Sequence, residues 1–243
     1  MDTLTRNHKP TVSVIIPIRR GEDIRETYKS LENSTYLFLQ LIVVDEGLER
    51  SAQRNIGIQN AYGEYLLILD SDQRVHPDLI EECVYLMTDS NIQGIYIPEI
   101  LKTKGFFARI RDWERQFYTG TPIDVVRFVR SPCPLFDERM SGPEDSDWDR
   151  RIKGKKETSF FPIYHYEKVG LIGYFKKKAY YAKSMKRFIE KHPNDKILDW
   201  KWRCWGVFME RWQTFFSNPF MAVLVMLLLL VRGVIYKWVR NAS

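Results

Sequence analysis

The first third of the chain alternates between short apolar runs and segments with helical spacing. The apolar runs are VSVII (Val12–Ile16), LQLIVV (39–44) and YLLIL (Tyr65–Leu69). Continuous apolar runs of this length are typical of strands that are buried on both faces of a parallel sheet. Repeated strand and helix units predict an α/β, doubly wound fold, in which ligands bind where the strands end.

Three carboxylates lie at these predicted strand ends. Asp45 follows the second run, whereas Asp70 and Asp72 follow the third run and are one residue apart. Carboxylate pairs of this kind hold Mg²⁺ or Mn²⁺, which commonly bridge protein carboxylates and substrate phosphates. The pair therefore predicts a divalent cation and a diphosphate. An Asp pair at a strand end is also often a helix cap or a solvated turn, so the motif alone leaves both interpretations open.

A second group of carboxylates lies in the segment GPEDSDWDRRI. Its acidic residues are Glu144, Asp145, Asp147 and Asp149, and they lie at the start of a predicted helix. Acidic side chains are favourable at a helix N-terminus, so a purely structural role explains them. The functional alternative is that one of them is a general base in the cleft. Spacing alone does not choose between the two.

Further elements are predicted between residues 93 and 130. The segment QGIYIPEI predicts a fourth strand, and DVVRFVR (Asp124–Arg130) predicts a fifth. Between them, Phe106, Ile110, Trp113 and Phe117 share one helical face, with Arg109, Arg111, Asp112 and Arg115 away from it. This pattern indicates either a helix that packs on the sheet or a helix that lies at a membrane surface.

The C-terminal segment Pro219–Val239 is apolar except for Arg232 and Lys237. As a helix, its residues extend about 31 Å, which is close to the thickness of a bilayer core. We therefore expect a transmembrane helix, with Asn218 as its cap. The alternative is a buried or in-plane helix, because Arg232 is costly in lipid unless it reaches the interface or finds a partner.

The charge is divided between an acidic front and a basic back. Residues 1–100 hold nine Lys and Arg against sixteen Asp and Glu, and residues 101–243 hold twenty-eight against fifteen. The segment GYFKKKAYYAKSMKRFIEKHP aligns Tyr174, Tyr181, Met185 and Phe188 opposite many lysines, which is typical of an interfacial helix on anionic lipid. The residues Trp200, Trp202, Trp205 and Trp212 then predict an aromatic belt. Because this tail leads into the apolar helix, we expect a membrane partner and no nucleic acid.

Localisation follows from the same features. The polar start MDTLTRNHKPT does not resemble a signal peptide. Basic residues before the predicted span favour a single-pass protein of the cell membrane with its catalytic domain in the cytoplasm. The cysteines Cys83, Cys133 and Cys204 are odd in number and far apart, which fits a reducing compartment and provides no metal-ligand spacing.

Four segments together resemble a known enzyme family. The segments VSVIIPIRR, LIVVDEG, SAQRNIGIQNAYGEYLLILDSDQRVHPDLIEE and GPEDSDWDRRI occur in the order and at about the spacing of family 2 glycosyltransferases. These are nucleotide-diphospho-sugar transferases of the Rossmann-like GT-A fold, and the resemblance covers about residues 11–168. The basic, Trp-rich tail is similar to membrane-associated members of the cellulose-synthase-like and dolichyl-phosphate-mannose-synthase-like types.

The resemblance implies a nucleotide site at the strand ends. Pro17 and Ile18 would lie beside the base and the ribose, and Asp45 would bind the edge of the nucleobase. Arg54 would reach the nucleotide, and Asp70 would contact the ribose or the water shell of the metal.

The resemblance also implies a metal site and a catalytic base. Asp72 would ligate Mn²⁺ or Mg²⁺, with Asp70 close by, and His165 is a candidate third ligand or phosphate contact. A single His after a strand is as often a packed or hydrogen-bonded residue. Asp145 matches the catalytic base of the family, and Glu144 lies beside it.

These features predict an enzyme, a metal-dependent inverting glycosyltransferase with a lipid-linked or polyprenyl-phosphate acceptor. On family grounds GDP-mannose is favoured over UDP-glucose as the donor. Two features depart from the family pattern, since PIRRGED ends the first strand and no intact Gln-x-x-Arg-Trp motif is present, so a processive polymerase is not expected. An aspartyl phosphohydrolase and a non-catalytic sugar-nucleotide-binding membrane protein remain as alternatives.

The expected organisation has three parts. Residues 1–168 would form the GT-A catalytic domain, residues 169–217 the amphipathic membrane-interface helices, and residues 218–240 the transmembrane helix.

Overall fold

The computed structural model describes residues 9–102, 104–167 and 170–242, with backbone only beyond residue 238. Its strands are β1 (Val12–Pro17), β2 (Leu39–Val44), β3 (Tyr65–Ile68), β4 (Gln73–Val75), β5 (Ile92–Tyr96), β6 (Glu99–Leu101), β7 (Val126–Arg130), β8 (Lys155–Thr158) and β9 (Ile163–His165). Its helices are α1 (Arg25–Glu32), α2 (Arg50–Gln59), α3 (Leu79–Leu86), α4 (Phe106–Arg115), α5 (Glu144–Arg151), α6 (Leu171–Ala182), α7 (Met185–Lys191), α8 (Val207–Met209), α9 (Trp212–Phe216) and α10 (Pro219–Ala242). A 3-10 turn, Lys196–Leu198, and a π-helical turn, Trp202–Gly206, lie between α7 and α8.

The main sheet has six strands in the order β2-β1-β3-β7-β5-β8. Strands β2, β1 and β3 are parallel, as their continuous apolar runs predict, and β1 is fully buried between its two neighbours. Strand β7 runs antiparallel to both β3 and β5, so the sheet is mixed rather than wholly parallel. The predicted α/β architecture is confirmed, and the strand ends of β1, β2 and β3 meet at one edge.

A small second sheet, in the order β4-β9-β6, lies next to that edge. The single strand predicted over residues 93–100 is two strands, β5 and β6, on either side of Pro98, whose ring removes a ladder donor. Strand β4 begins directly after Asp72, and its Gln73 pairs with His165 at the end of β9. This pairing brings two residues that are far apart in the sequence to the same place.

Helix α2 packs on β1 and β2 of the main sheet. It begins at Arg50 and ends at Gln59, and its Ser51 hydroxyl donates a hydrogen bond to the Met140 carbonyl oxygen at 3.3 Å. Beyond the helix, Gly63 lies close to β1, since a Cβ atom there would lie 2.6 Å from the Ser13 hydroxyl.

The C-terminal helices share an apolar core with α4. This core includes Ile110 of α4, Tyr174 of α6, Phe188 of α7 and Trp202 of the π-helical turn. The predicted interfacial helix is interrupted between α6 and α7, so it is two helices, in which Tyr174 and Phe188 are buried whereas Tyr180 is exposed. Because Trp202 is buried, its assignment to an aromatic belt is wrong, whereas Trp200, Trp205 and Trp212 are exposed.

Helix α10 packs along α6 and α4 on one side. Its buried side contains Met221, Val225, Leu228 and Arg232, and Arg232 lies 3.0 Å from the Glu114 carboxylate. Its outward side is an apolar stripe, composed of Phe220, Val223, Leu227, Leu230, Val234 and Trp238. By length and composition Pro219–Trp238 is a candidate membrane span, although a third of its most apolar window is buried inside the protein.

The prediction for the faces of α4 is only partly correct. Phe106 is exposed, whereas Arg111 and Glu114 are buried and paired with each other. Glu114 also accepts a hydrogen bond from the Tyr118 hydroxyl and pairs with Arg232. These charges tolerate burial because they satisfy one another.

The three predicted domains are in contact through this core. The boundary expected between residues 168 and 169 lies outside the described residues, and so does the start of the chain up to residue 8. The division into three domains stays a prediction.

Candidate functional site

A cleft of about 780 Å³ opens where β1, β2 and β3 end. Pro17, Ile18 and Asp45 line it, as the strand order predicts, together with Asp70 and Asp72. Clefts of a few hundred to a thousand Å³ accommodate cofactor-sized ligands. The cleft thus brings together the residues expected at a nucleotide site, and we refer to it as the donor cleft.

The charge of the donor cleft is negative. Seven carboxylates line it, against four cations. The cations are Arg19, Arg20, Arg50 and Lys177, and Lys177 is already paired with Glu167 at 2.9 Å. A diphosphate would be repelled by such a lining unless a cation accompanied it.

Arg54 lies beneath the donor cleft and joins its carboxylates. The guanidinium group is 1% exposed, and its Nη2 lies 3.1 Å from Oδ1 of Asp70. Its Nη1 donates a hydrogen bond to Asp145 and lies 3.9 Å from Glu144. Arg54 was expected to contact a nucleotide, but in the structure three carboxylates surround its guanidinium. The group instead positions these carboxylates.

Asp70 is held in its charged form by this arrangement. Burial alone would raise its pKa, but the positive charges of Arg54, Arg50 and Arg127 hold the pKa well below its usual range. Both carboxylate oxygens face cations, since Oδ2 lies 3.9 Å from Arg127. Asp70 is thus a charged wall of the donor cleft.

Asp72 and His165 meet at the mouth of the donor cleft. Oδ1 of Asp72 lies 3.2 Å from Nε2 of His165, and the Tyr166 amide donates to the Asp72 carbonyl oxygen at 2.9 Å. The other ring nitrogen, Nδ1 of His165, lies 3.5 Å from Oε2 of Glu99 and makes no hydrogen bond to it. Within the described ranges, no group of three His, Cys, Asp or Glu residues could hold a metal ion.

Two protein ligands still fit a divalent cation here. The Asp72 carboxylate is 43% exposed, and a carboxylate with an imidazole nitrogen suits Mn²⁺, which can take its other ligands from water and a diphosphate. The negative lining of the donor cleft favours such an ion as well. Asp70, which was also expected at the metal site, is engaged by Arg54 instead.

Glu144 and Asp145 start helix α5 but face different spaces. Glu144 lines the donor cleft, whereas Asp145 lines a second cavity on the other side of the helix start. Tyr181 borders both spaces and packs against Gly142, whose φ of +108° suits only glycine. A Cβ atom on Gly142 would lie 2.3 Å from Tyr181, so the close approach of α6 also requires glycine.

The environments of the two carboxylates differ. Burial and the neighbouring charge of Asp145 raise the pKa of Glu144 to about 7, although Arg54 opposes the shift. The Gly142 amide donates to the Glu144 carboxylate. Asp145 is 34% exposed, and Arg54 bonds its Oδ1, while no partner bonds Oδ2 within the part of the chain that the structure describes. Asp145 is the carboxylate that is open to a second substrate.

Sequence patterns missed a supporting set of residues around Glu99. Arg115 and Arg127 both pair with Glu99, and Gln73 donates to it at 2.8 Å while accepting from the Asp70 amide at 2.9 Å. A signal was present, because Arg127 lies between apolar residues of β7, Val126 and Phe128. The set connects Asp70 to the small sheet that holds His165.

Comparisons with known proteins bear on the family and the fold. The sequence model of glycosyl transferase family 2 matches residues 46–125. Among solved structures, the mannosyltransferase PcManGT from Pyrobaculum calidifontis, in complex with GDP-Man and Mn²⁺, has a TM-score of 0.56 and 16% identity, over 94% of this chain and 76% of that chain. This similarity confirms the predicted GT-A fold.

A second solved structure, S. aureus TarS, has a TM-score of 0.49 and 13% identity, over 96% of this chain. The alignment covers 55% of that chain, so this protein spans about half the length of TarS. No curated protein sequence matches the chain at a significant level.

Proposed function

The chain belongs to glycosyl transferase family 2, and we propose that it is a membrane-anchored, metal-dependent, inverting enzyme that transfers a sugar from a nucleoside diphosphate to a lipid-linked or polyprenyl-phosphate acceptor. The observation that carries this proposal is the position of Arg54. One guanidinium joins Asp70 in the donor cleft to Asp145 on the opposite side of the site.

The donor would bind in the cleft at the strand ends. Pro17 and Ile18 line the cleft and would lie beside the base and the ribose, and Asp45 would bind the edge of the base. Asp70, charged and fixed by Arg54, would accept hydrogen bonds from ribose hydroxyls. The position of these residues at a parallel strand edge supports their assignment to nucleotide binding.

Asp72 and His165 would hold the divalent cation. Mn²⁺ or Mg²⁺, when bound, would neutralise the diphosphate as it leaves. The chain contributes the position of both ligands, because the pairing of β4 with β9 brings His165 beside Asp72. The half-exposed Asp72 carboxylate gives the diphosphate access to that point.

Asp145 would act as the catalytic base. An acceptor hydroxyl, or the protonated oxygen of a polyprenyl phosphate monoanion, is a poor nucleophile, so Asp145 would accept its proton while that oxygen forms a bond to the anomeric carbon. The bond between that carbon and the diphosphate oxygen breaks at the same time, and the nucleoside diphosphate leaves. One displacement inverts the anomeric configuration. The open Oδ2 of Asp145 supports this role, and Arg54 orients the group.

The membrane would present the acceptor. The outward stripe of α10 is apolar, and Trp200, Trp205 and Trp212 are exposed nearby in the sequence. Exposed aromatic residues beside an apolar helix favour the interface of a bilayer. This arrangement supports anchoring in a membrane, and the basic residues before α10 favour a catalytic domain on the cytoplasmic side.

GDP-mannose is the first donor to test, since a mannosyltransferase with the same fold binds GDP-Man, and UDP-glucose is the alternative. The match to the family gives no support to an aspartyl phosphohydrolase, whose nucleophile would be the Asp70 that Arg54 bonds.

The purified full-length protein, tested with Mn²⁺ and each donor, should release nucleoside diphosphate only when membrane lipid extract is added. If no donor releases nucleoside diphosphate or transfers its sugar under these conditions, the proposal is wrong and a non-catalytic binding protein is favoured.

A further inference from the structure

A second cavity, of about 270 Å³, lies between α4, α6, the π-helical turn and α10. Its charge is opposite to that of the donor cleft, because six cations line it against three carboxylates. The cations are Arg111, Arg115, Arg127, Lys178, Arg203 and Arg232, and the carboxylates are Glu99, Asp124 and Asp145. We call this space the cationic cavity.

Four of these cations already have carboxylate partners. Arg111 and Arg232 pair with Glu114, and Arg115 and Arg127 pair with Glu99. These pairs account for much of the positive charge without any ligand.

Lys178 and Arg203 have no carboxylate within ion-pair distance in the described part of the chain. Lys178 lies over the rings of Tyr174 and Tyr181, at 5.4 Å and 5.6 Å from their centroids. Burial, and the charges of Arg232 and Arg111, lower the pKa of Lys178 well below its usual range, and burial also lowers the pKa of Arg203. Both side chains are partly buried, and cations removed from water without a counter-charge are costly and are usually paired.

The position of the cavity indicates what anion would fill it. Asp145 lies on one wall, whereas Arg232 and Tyr236 of the apolar helix α10 lie on another. The cavity is about a third of the volume of the donor cleft, so it suits a compact group. Its excess of cations suits a group with negative charge. Tyrosine hydroxyls, Lys178 and Arg203 are all hydrogen-bond donors, which suits phosphate oxygens.

We infer that the cationic cavity binds the phosphate group of an amphiphilic acceptor, with Lys178 and Arg203 as its unpaired counter-charges and the apolar part of the acceptor along α10. This inference rests on the proposed function, in which Asp145 on the cavity wall is the catalytic base. It gives the acceptor a stated chemistry, a phosphate joined to an apolar chain, and it assigns a binding role to residues that sequence patterns attribute to a lipid-facing surface.

The test uses the full-length protein in detergent and citronellyl phosphate as a soluble probe, without any donor. Binding is measured by calorimetry and by the shift of the thermal unfolding temperature. The variants are Lys178→Met, Arg203→Met and the charge-preserving Lys178→Arg, with Lys176→Met, an exposed lysine of the same helix, as the matched control. Citronellol and inorganic phosphate are tested alongside, together with vesicles of dioleoylphosphatidylglycerol in dioleoylphosphatidylcholine.

We expect citronellyl phosphate to bind and to stabilise the wild-type protein. Lys178→Met and Arg203→Met should each weaken binding about tenfold or more, since a hydrogen bond to a charged group is lost. Lys178→Arg and Lys176→Met should retain binding. Citronellol should bind at least tenfold more weakly than citronellyl phosphate. Unliganded Lys178→Met should be at least as stable as wild type, because it removes a polar group that has no carboxylate partner and replaces it with an apolar side chain of similar length.

Three results would overturn the inference. If citronellol and citronellyl phosphate bind equally, the cavity does not recognise the phosphate group. If inorganic phosphate binds as tightly as citronellyl phosphate, the apolar chain does not contribute to binding. Vesicle binding that requires Lys178, without binding of citronellyl phosphate, would indicate a bulk lipid headgroup. Because no donor is present, a failure of this test leaves GDP-mannose binding and turnover intact, whereas a failure of the proposed function leaves probe binding intact.

Discussion

Nη2 of Arg54 lies 3.1 Å from Oδ1 of Asp70, and the same buried guanidinium bonds Asp145. Asp70 comes from the end of a central strand, whereas Asp145 comes from the start of α5. Their contact through one side chain fixes the distance between the donor cleft and the base. Arg54 therefore positions the two carboxylates that the proposed function assigns to the donor and to catalysis, although its own guanidinium is enclosed.

Arg54→Met should destabilise the protein by about 3 kcal/mol or more, because it leaves buried carboxylates without their partner. Arg54→Lys should retain part of the stability but lower kcat more than KM for the donor, since an ammonium cannot reproduce the forked geometry. Thermal unfolding and steady-state kinetics measure the two effects. The exposed Arg25→Met, which breaks a surface pair with Asp23, should change neither. Full activity and stability in Arg54→Met would contradict a positioning role.

Asp72→Asn and His165→Ala should each weaken the binding of GDP in the presence of Mn²⁺ by tenfold or more. Without metal, both variants should bind GDP as weakly as the wild-type protein, because the base and ribose contacts are unchanged. Calorimetry with and without Mn²⁺ separates the metal-dependent part of GDP binding from the part that needs no metal. Asp78→Asn, an exposed carboxylate beside His76, is the matched control. A Mn²⁺ effect that survives both site substitutions would place the ion elsewhere.

Glu144 should make stability depend on pH. Its pKa is raised from 4.5 to about 7 by burial and Asp145, so the folded protein holds this proton more tightly than the unfolded chain. The stabilising contribution is present below about pH 4.5 and is lost as pH rises through about 7. The unfolding temperature of wild type should fall between pH 5.5 and pH 8, and that of Glu144→Gln should fall less. Glu190→Gln, at an exposed position, should behave as wild type. An identical pH profile in Glu144→Gln would contradict the assignment.

Association with membranes should depend on the outward stripe of α10. Leu227→Lys with Leu230→Lys places two charges on that stripe without touching the buried side of the helix. This double variant should keep its secondary structure but sediment less with liposomes, since charged side chains in lipid are costly. Gln213→Lys, exposed before the helix, should sediment as wild type. Unchanged sedimentation of the double variant would show that α10 is not the anchor.

Local patterns were sufficient where a single strand or helix determines the outcome. Apolar runs predicted β1, β2 and β3, although β2 is an edge strand that is only partly buried, and the rule that parallel strand ends share an edge brought Asp45, Asp70 and Asp72 together. The cleft itself was therefore predictable.

Contacts between distant segments were not predictable from local patterns. The three-residue strands β4 and β9 are too short to show periodicity, yet their pairing is what brings His165 to Asp72. Helical spacing likewise assigned Arg111 and Lys178 to polar surfaces, although α10 covers that region and encloses both side chains in the cationic cavity. Burial of a charge depends on its neighbours in space, which spacing along one helix does not reveal.

The comparison of wild type with Asp145→Asn tests the central claim most directly. Sugar transfer from GDP-mannose to membrane lipid extract and GDP binding are measured with Mn²⁺ on the same preparations, with Asp78→Asn as control. We predict that Asp145→Asn loses transfer by a hundredfold or more, in line with the usual contribution of about 10²–10⁴ from a general base, and still binds GDP as the wild-type protein does. Full transfer by Asp145→Asn would contradict the proposed mechanism.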